Sequence, residues 1–152
     1  MILVVDASVL VAELLRARGR ALFAHPDLRC VVAEEQWAET EHELEKRLTA
    51  IVAQGRLTAT QADELRDAIQ EMLDDGVFDV VPRTVYGHLE ARARGRIPRD
   101  PRDWPVVALS LVLDAAILTN DADFLGCGCA TWTVETLTGE LAHGGSDEDK
   151  EQ

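Results

Sequence analysis

The chain has 152 residues, of which 47% are hydrophobic and 28% are charged, and these proportions indicate one globular domain rather than a disordered or fibrous chain. Its formal net charge of -13 argues against a protein that coats nucleic acid nonspecifically, because such binding depends on clustered Lys and Arg. Any contact with nucleic acid must therefore be local.

Apolar stretches and cysteines indicate the compartment in which the protein works. The N-terminal apolar run, Met1 to Val5, lacks the basic start and the length of a signal peptide, and no other run approaches the roughly 18 residues of a membrane span. The three cysteines, Cys30, Cys127 and Cys129, do not have zinc-site spacing, and we interpret them as structural or buried thiols. We expect a cytoplasmic protein with no membrane contact.

Predicted strands and helices alternate along the chain. The predicted strands are 2–5, 30–33, 77–81, 115–118 and 130–134. The predicted helices are 8–18, 34–53, 58–75, 84–94, 103–113 and 135–142. Thr58 and Gln61 have the spacing of a capping box at the start of the third helix.

This alternation predicts an α/β fold, namely a three-layer α/β/α sandwich with a central, mainly parallel sheet. We assign residues 1–143 to one domain. The remaining segment, 144–152, is polar and acidic with no apolar anchor, so we expect it to be a disordered tail.

Four acidic residues are placed so that they can meet at one end of this sheet. Asp6 directly follows the first strand, and Asp121 follows the strand 115–118. Asp103 begins the helix that leads into that strand, and Glu39 lies in the first half of the long helix 34–53. Because ligands bind beyond the carboxyl ends of parallel strands, we expect these carboxylates to converge there.

Carboxylates that crowd together destabilise a fold unless a cation neutralises them. Mg²⁺ and Mn²⁺ prefer oxygen ligands, and Mg²⁺ keeps several waters, which leaves room for a substrate phosphate. A metal held in this way can activate water and neutralise the charge that develops on the phosphate. The pattern therefore predicts hydrolysis of phosphodiester bonds.

Each acid also has an alternative interpretation. Asp6 and Asp103 are well placed to cap the helices that follow them, although capping does not exclude metal binding. Glu43 lies one turn after Glu39 and is its rival, since both belong to a helix rich in Glu. In the same way Asp123 competes with Asp121, and one of the two could simply hold the loop.

Three segments together resemble the PIN-domain family, in particular its toxin-like ribonucleases of the VapC kind. The segments are ILVVDASVL, WAETEHELEKRL and DWPVVALSLVLDAAILTNDADF, and the last is the most specific. The resemblance covers nearly the whole chain and implies a PIN-like sandwich. By position in the motifs, it implies a metal site made by Asp6, Glu39, Asp103 and Asp121, with the hydroxyl of Ser8 beside it.

An arginine-rich segment precedes Asp103 and offers the local positive charge that RNA binding requires. It contains five arginines, Arg92, Arg94, Arg96, Arg99 and Arg102. These side chains could guide RNA phosphates to the metal. The alternative is a solvated loop whose arginines pair with nearby acids or with an acidic partner.

Three functional hypotheses follow. The first is an endoribonuclease that depends on Mg²⁺ or Mn²⁺, acts as a homodimer and serves as the toxin of a toxin-antitoxin pair, inhibited by a small antitoxin protein. The second is a PIN-like module that no longer cleaves and acts as a binding or scaffold protein. The third is a phosphatase-like enzyme with Asp6 as nucleophile, but that chemistry normally has a second acid where this chain has Ser8.

Overall fold

A computed structural model describes residues 1–148. One five-stranded sheet consists of β1 (Ile2–Val5), β2 (Arg29–Ala33), β3 (Phe78–Val81), β4 (Ala116–Leu118) and β5 (Thr131–Trp132). The strand order is β3-β2-β1-β4-β5, and every neighbouring pair is parallel. The first strand of the chain therefore lies in the middle of the sheet.

Eight helices surround the sheet in the described part of the chain. They are α1 (Ala7–Leu14), α2 (Ala17–Phe23), α3 (Glu34–Ala53), α4 (Ala59–Asp74), α5 (Arg83–Tyr86), α6 (Glu90–Arg96), α7 (Trp104–Leu113) and α8 (Val134–Glu148). Short 3-10 turns occur at Gly87–Leu89, Pro101–Asp103 and Ala122–Phe124. Within residues 1–148, no helix is both long enough and apolar enough to cross a membrane.

The helices cover both faces of the sheet, which confirms the predicted three-layer sandwich. Successive strand residues face opposite sides, so Leu3 and Val5 join one apolar cluster while Val4 joins the other. The first cluster is completed by residues of α1 to α4 and α8, and the second by residues of α5 to α7. Burial on both faces explains why the strands are almost uniformly apolar.

The predicted helix 8–18 is interrupted, and the structure has α1 and α2 in its place. Arg16 takes an extended conformation between them, and Gly19 lies directly against the backbone of Glu13, where a Cβ atom would clash. The guanidinium of Arg20 donates a 2.8 Å hydrogen bond to the carbonyl of Leu14. The end of α1 is thus closed by α2 folding back on it, and the apolar periodicity alone could not reveal this turn.

Other boundaries agree closely with the sequence pattern. The long helix α3 has the predicted limits, and Thr58 and Gln61 form the predicted reciprocal capping box at the start of α4. The last helix, α8, continues to Glu148 instead of ending near Ala142. Residues 149–152 of the predicted tail lie outside the described residues, and the division at 143 stays a prediction.

Candidate active site

Asp6 and Asp121 emerge from neighbouring strands at the same edge of the sheet. Val5 pairs with Leu118 in the parallel ladder between β1 and β4, and the next residue, Asp6, donates its backbone N–H to the carbonyl of Leu118 at 3.1 Å. Asp121 follows three residues after the end of β4. This register explains why acids far apart in sequence become neighbours.

All four predicted acids, Asp6, Glu39, Asp103 and Asp121, line one open cleft of about 270 Å³ at this edge. The other residues that line it are Ala7, Ser8, Val11, Glu43, Arg47 and Asp100. Six of these ten residues carry carboxylates. The structure therefore brings together the residues that the sequence pattern selected, together with two further acids.

Asp6 is the most deeply buried of these acids, with 5% of its surface exposed. Its Oδ2 atom accepts hydrogen bonds from the hydroxyls of Ser8, at 2.7 Å, and Thr119, at 3.0 Å. The pKa of Asp6 is raised above its usual value, mainly by burial and to a smaller extent by the negative charge of Asp121. The hydrogen bonds from the two hydroxyls act in the opposite direction. The backbone N–H of Ser8 is near enough to the Asp6 carboxylate to lower its pKa. Even so, the Asp6 side chain makes no capping hydrogen bond to α1. Asp6 therefore does not act as a standard helix cap.

Asp103 occupies the N-cap position of α7, and it too makes no capping hydrogen bond. Burial, followed by the negative charges of Asp6, Asp100 and Glu39, raises the pKa of Asp103 to about 7. A hydrogen bond with the side chain of Gln36 acts in the opposite direction. Asp103 thus lies in a strongly negative environment that favours the binding of a cation.

Glu39 and Glu43 both line the cleft, but their surroundings differ. Burial and the charges of Asp6 and Glu43 raise the pKa of Glu39, while the positive charge of Arg102 lowers it. The Glu43 carboxylate lies 3.7 Å from Lys46, and 40% of its side chain is exposed. Glu39 is therefore coupled to the central acid and Glu43 to Lys46 on the same helix, and exposure does not separate them, because Glu39 is the more exposed residue of the two.

Asp121 and Asp123 have separate positions. The backbone N–H of Asp121 donates to the hydroxyl of Thr119 at 3.0 Å, and Oδ1 of Asp121 accepts the backbone N–H of Asp123 at 2.9 Å. Asp123 is not among the residues that line the cleft, and its carboxylate lies 4.0 Å from Arg99. Only Asp121 of this pair faces the other acids.

Sequence reasoning missed three residues of this site. Gln36 contacts Asp103 and has 2% of its surface exposed, Thr119 bonds to Asp6, and Asp100 lines the cleft. Signals were available for two of them. Gln36 is one helical turn before Glu39 on α3, and Asp100 is three residues before Asp103 in the segment RDPRD. Thr119 becomes recognisable only when β4 is known to lie beside β1.

The arginine-rich segment is partly engaged within the protein. Arg94 lies 3.4 Å from Glu90, and Arg96 donates a 2.9 Å hydrogen bond to the carbonyl of Cys127. Arg99 and Arg102 pair more loosely, at 4.0 Å with Asp123 and 3.4 Å with Asp100, and their side chains are 82% and 89% exposed. The interpretation as a segment that pairs with nearby acids therefore applies to Arg94, Arg99 and Arg102, and the guidance of RNA phosphates stays a prediction.

The donor set of the cleft matches the chemistry of a hard divalent cation, because it consists of carboxylate oxygens with hydroxyls beside them. Among residues 1–144, however, no three His, Cys, Asp or Glu side chains are close enough to hold one ion together. Mg²⁺ commonly uses one or two carboxylates directly and contacts others through water. The shared cleft and the mutual repulsion of its carboxylates are compatible with an ion that is held in this way.

A protein-family model described as "PIN domain" matches residues 4–142. Three solved structures share the fold. FitAcB from Neisseria gonorrhoeae has 16% identity and a TM-score of 0.60, with coverage of 87% of this chain and 96% of that chain. PAE2754 from Pyrobaculum aerophilum has 20% identity, a TM-score of 0.58 and coverage of 92% and 88%. A toxin-antitoxin complex from Klebsiella pneumoniae contains a chain with 16% identity, a TM-score of 0.52 and coverage of 82% and 91%. No curated protein matches the sequence.

Proposed function

Because the chain belongs to the PIN-domain family, whose members are generally nucleases that use divalent metal ions, we propose that it is an endoribonuclease that depends on Mg²⁺ or Mn²⁺. The observation that carries the proposal is the convergence of Asp6, Glu39, Asp103 and Asp121 on one cleft. Asp6, Glu39 and Asp103 each have a raised pKa, so their carboxylates would gain from a neutralising cation.

Each acid would have a definite task in this site. The hydroxyls of Ser8 and Thr119 fix the orientation of the Asp6 carboxylate, so one oxygen is held while the other stays free to bind the metal. Glu39 and Asp103 would bind from α3 and from the start of α7, and Asp121 from the loop after β4. When bound, a divalent metal supplies an activated water and neutralises negative charge on the phosphodiester.

The substrate would reach these acids along the exposed end of the arginine-rich segment. Arg99 and Arg102 retain solvent-exposed guanidinium groups, and Arg102 pairs with Asp100, which lines the cleft. Guanidinium groups bind phosphate with two parallel hydrogen bonds. Since the whole chain carries a net charge of -13, such local cations would have to attract the RNA.

The proposal also includes two protein partners, an antitoxin and a second copy of the chain. The structural similarity to a chain of a toxin-antitoxin complex supports a role as the toxin of such a pair. An antitoxin would then block the acidic cleft, and the toxin would work in the cytoplasm as a homodimer. Co-expression with the product of a neighbouring small reading frame, followed by purification through a tag on one of the two proteins, tests this part.

The deciding experiment is cleavage of an RNA panel by the purified protein with Mn²⁺, with Mg²⁺ and with chelator. The parent should cleave only with metal, and Asp103→Asn should lose cleavage while its far-ultraviolet circular dichroism stays unchanged. Asp123→Asn is the matched control, because Asp123 lies outside the cleft, and it should cleave like the parent. RNA binding without cleavage by the parent would instead support a binding or scaffold module, and full activity in Asp103→Asn would remove this acid from the site.

A further inference from the structure

Arg47 lies on α3 among the carboxylates of the cleft. Within the described part of the chain, every other charged residue that lines this cleft is Asp or Glu. Arg47 is exposed, and its guanidinium forms no ion pair with any acid of residues 1–144 at a distance of 4.0 Å or less. A cation beside so many acids would be expected to pair with one of them.

The sequence of α3 offers Arg47 a partner for a helical ion pair, and Arg47 does not use it. Glu43 precedes Arg47 by four residues, which is the favourable order for a helical ion pair. Glu43 instead lies near Lys46, at 3.7 Å. Arg47 therefore keeps its five N–H donors available toward the cleft and the solvent.

A second exposed arginine lies near the same acids. Arg102 belongs to the 3-10 turn Pro101–Asp103 before α7, and its charge lowers the pKa of Glu39 on α3. Arg102 is held loosely by Asp100, at 3.4 Å, and Asp100 itself lines the cleft. The acids of the cleft thus have two exposed arginines near them, one on α3 and one in the turn before α7.

We propose that Arg47 binds a backbone phosphate of the RNA strand, separately from the phosphate that Arg102 would bind. This inference rests on the proposed ribonuclease function. A single strand that crosses the acids would meet both guanidinium groups, and these contacts would position it without reading its sequence. The chemistry required is that of a phosphodiester anion, which a guanidinium binds through two hydrogen bonds.

The test compares Arg47→Ala with Arg56→Ala, which removes the same charge from an exposed arginine just after α3 and outside the cleft. Affinity for a fluorescently labelled single-stranded RNA is measured in Mn²⁺ over a series of salt concentrations, with every protein also carrying Asp103→Asn so that the RNA is not cleaved, and a gel checks that the RNA stays intact. Arg47→Ala should bind about tenfold more weakly, as expected for the loss of one charge-assisted contact. The slope of log affinity against log salt should fall in magnitude by about 0.7, the contribution of one phosphate on a single strand.

Further measurements distinguish the loss of an RNA contact by Arg47 from a change in the fold of the variant. The loss should be equal for RNAs of different sequence, and Arg47→Lys should recover the salt slope but only part of the affinity, since Lys cannot make the two-pronged contact. Equal melting temperatures of Arg47→Ala and Arg56→Ala would establish that both are folded. If Arg47→Ala binds RNA as Arg56→Ala does while the parent cleaves RNA, the role of Arg47 is overturned and the nuclease function stands. A parent that neither binds nor cleaves RNA would overturn both.

Discussion

The side-chain Oε1 atom of Gln36 accepts a 2.9 Å hydrogen bond from the backbone N–H of Ala7. This contact ties α3 to the first residue of α1, and it is buried. Because Oε1 is occupied in this way, the NH₂ group of the same amide is the part that can donate to Asp103, whose pKa Gln36 lowers. One amide thus joins the turn after β1 to the start of α7.

Replacing Gln36 should therefore destabilise the protein. In Gln36→Ala the buried N–H of Ala7 loses its acceptor, so we expect the free energy of unfolding to fall by about 1–3 kcal/mol. Gln70→Ala is the control, since Gln70 is exposed on α4 and bonds only to the side chain of Asp74, and it should change stability by about 0.5 kcal/mol or less. Urea unfolding curves measure both values. Equal small effects would mean that water replaces the Gln36 contact.

The two glutamates of the cleft should differ in function. Glu39→Gln should lose RNA cleavage, because its carboxylate is coupled to Asp6, whereas Glu43→Gln should keep most of it. Cleavage rates at saturating Mn²⁺ and matched protein concentration provide the comparison. Equal loss in the two variants would mean that both acids bind the metal.

The acids also make stability depend on pH when metal is absent. The pKa of Asp103 is raised from its ordinary value of 3.8 to about 7, so the folded state holds a proton that the unfolded chain has already released. The free energy of unfolding in chelator should therefore decrease as the pH rises from about 4 to about 7. Asp103→Asn should show a shallower decrease and be the more stable protein at about pH 8. Urea unfolding at several pH values measures the difference, and parallel curves for the two proteins would contradict it.

Metal should stabilise the parent through Asp6. In chelator, Asp6→Asn should melt at the same temperature as the parent or higher, because the substitution removes a buried negative charge. The amide oxygen can still accept hydrogen bonds from the hydroxyls of Ser8 and Thr119. Millimolar Mn²⁺ should raise the melting temperature of the parent by mass action and that of the variant much less. Thermal melts follow both proteins. A variant that melts far below the parent in chelator would mean that Asp6 has a structural role instead.

The sequence predicts the sandwich well because strands buried on both faces and amphipathic helices leave distinct periodicities. It does not predict the break between α1 and α2, which depends on Gly19 packing against Glu13. The limits of α8 also differ, because its last turns lack the apolar pattern on which the prediction relied.

For the candidate site, order along the chain was sufficient to select residues that follow strands or begin helices, such as Asp6 and Asp103. Order along the chain does not predict contacts between segments that are distant in sequence. The hydrogen bond from Thr119 to Asp6 depends on β4 lying beside β1, and the exclusion of Asp123 depends on the path of the loop after β4. The function of the four acids stays a prediction that the experiments above address.

The position of β1 in the middle of the sheet has a consequence for synthesis of the protein. Asp6 and Thr119 are 113 residues apart in the chain, and they meet only when β4 pairs with β1. A nascent chain on the ribosome therefore carries Asp6 and Glu39 long before the other half of the cleft has been translated. With a site divided in this way, an RNA-cutting activity would begin only after release of a nearly complete domain, and prematurely terminated fragments would be harmless to the cell that makes them.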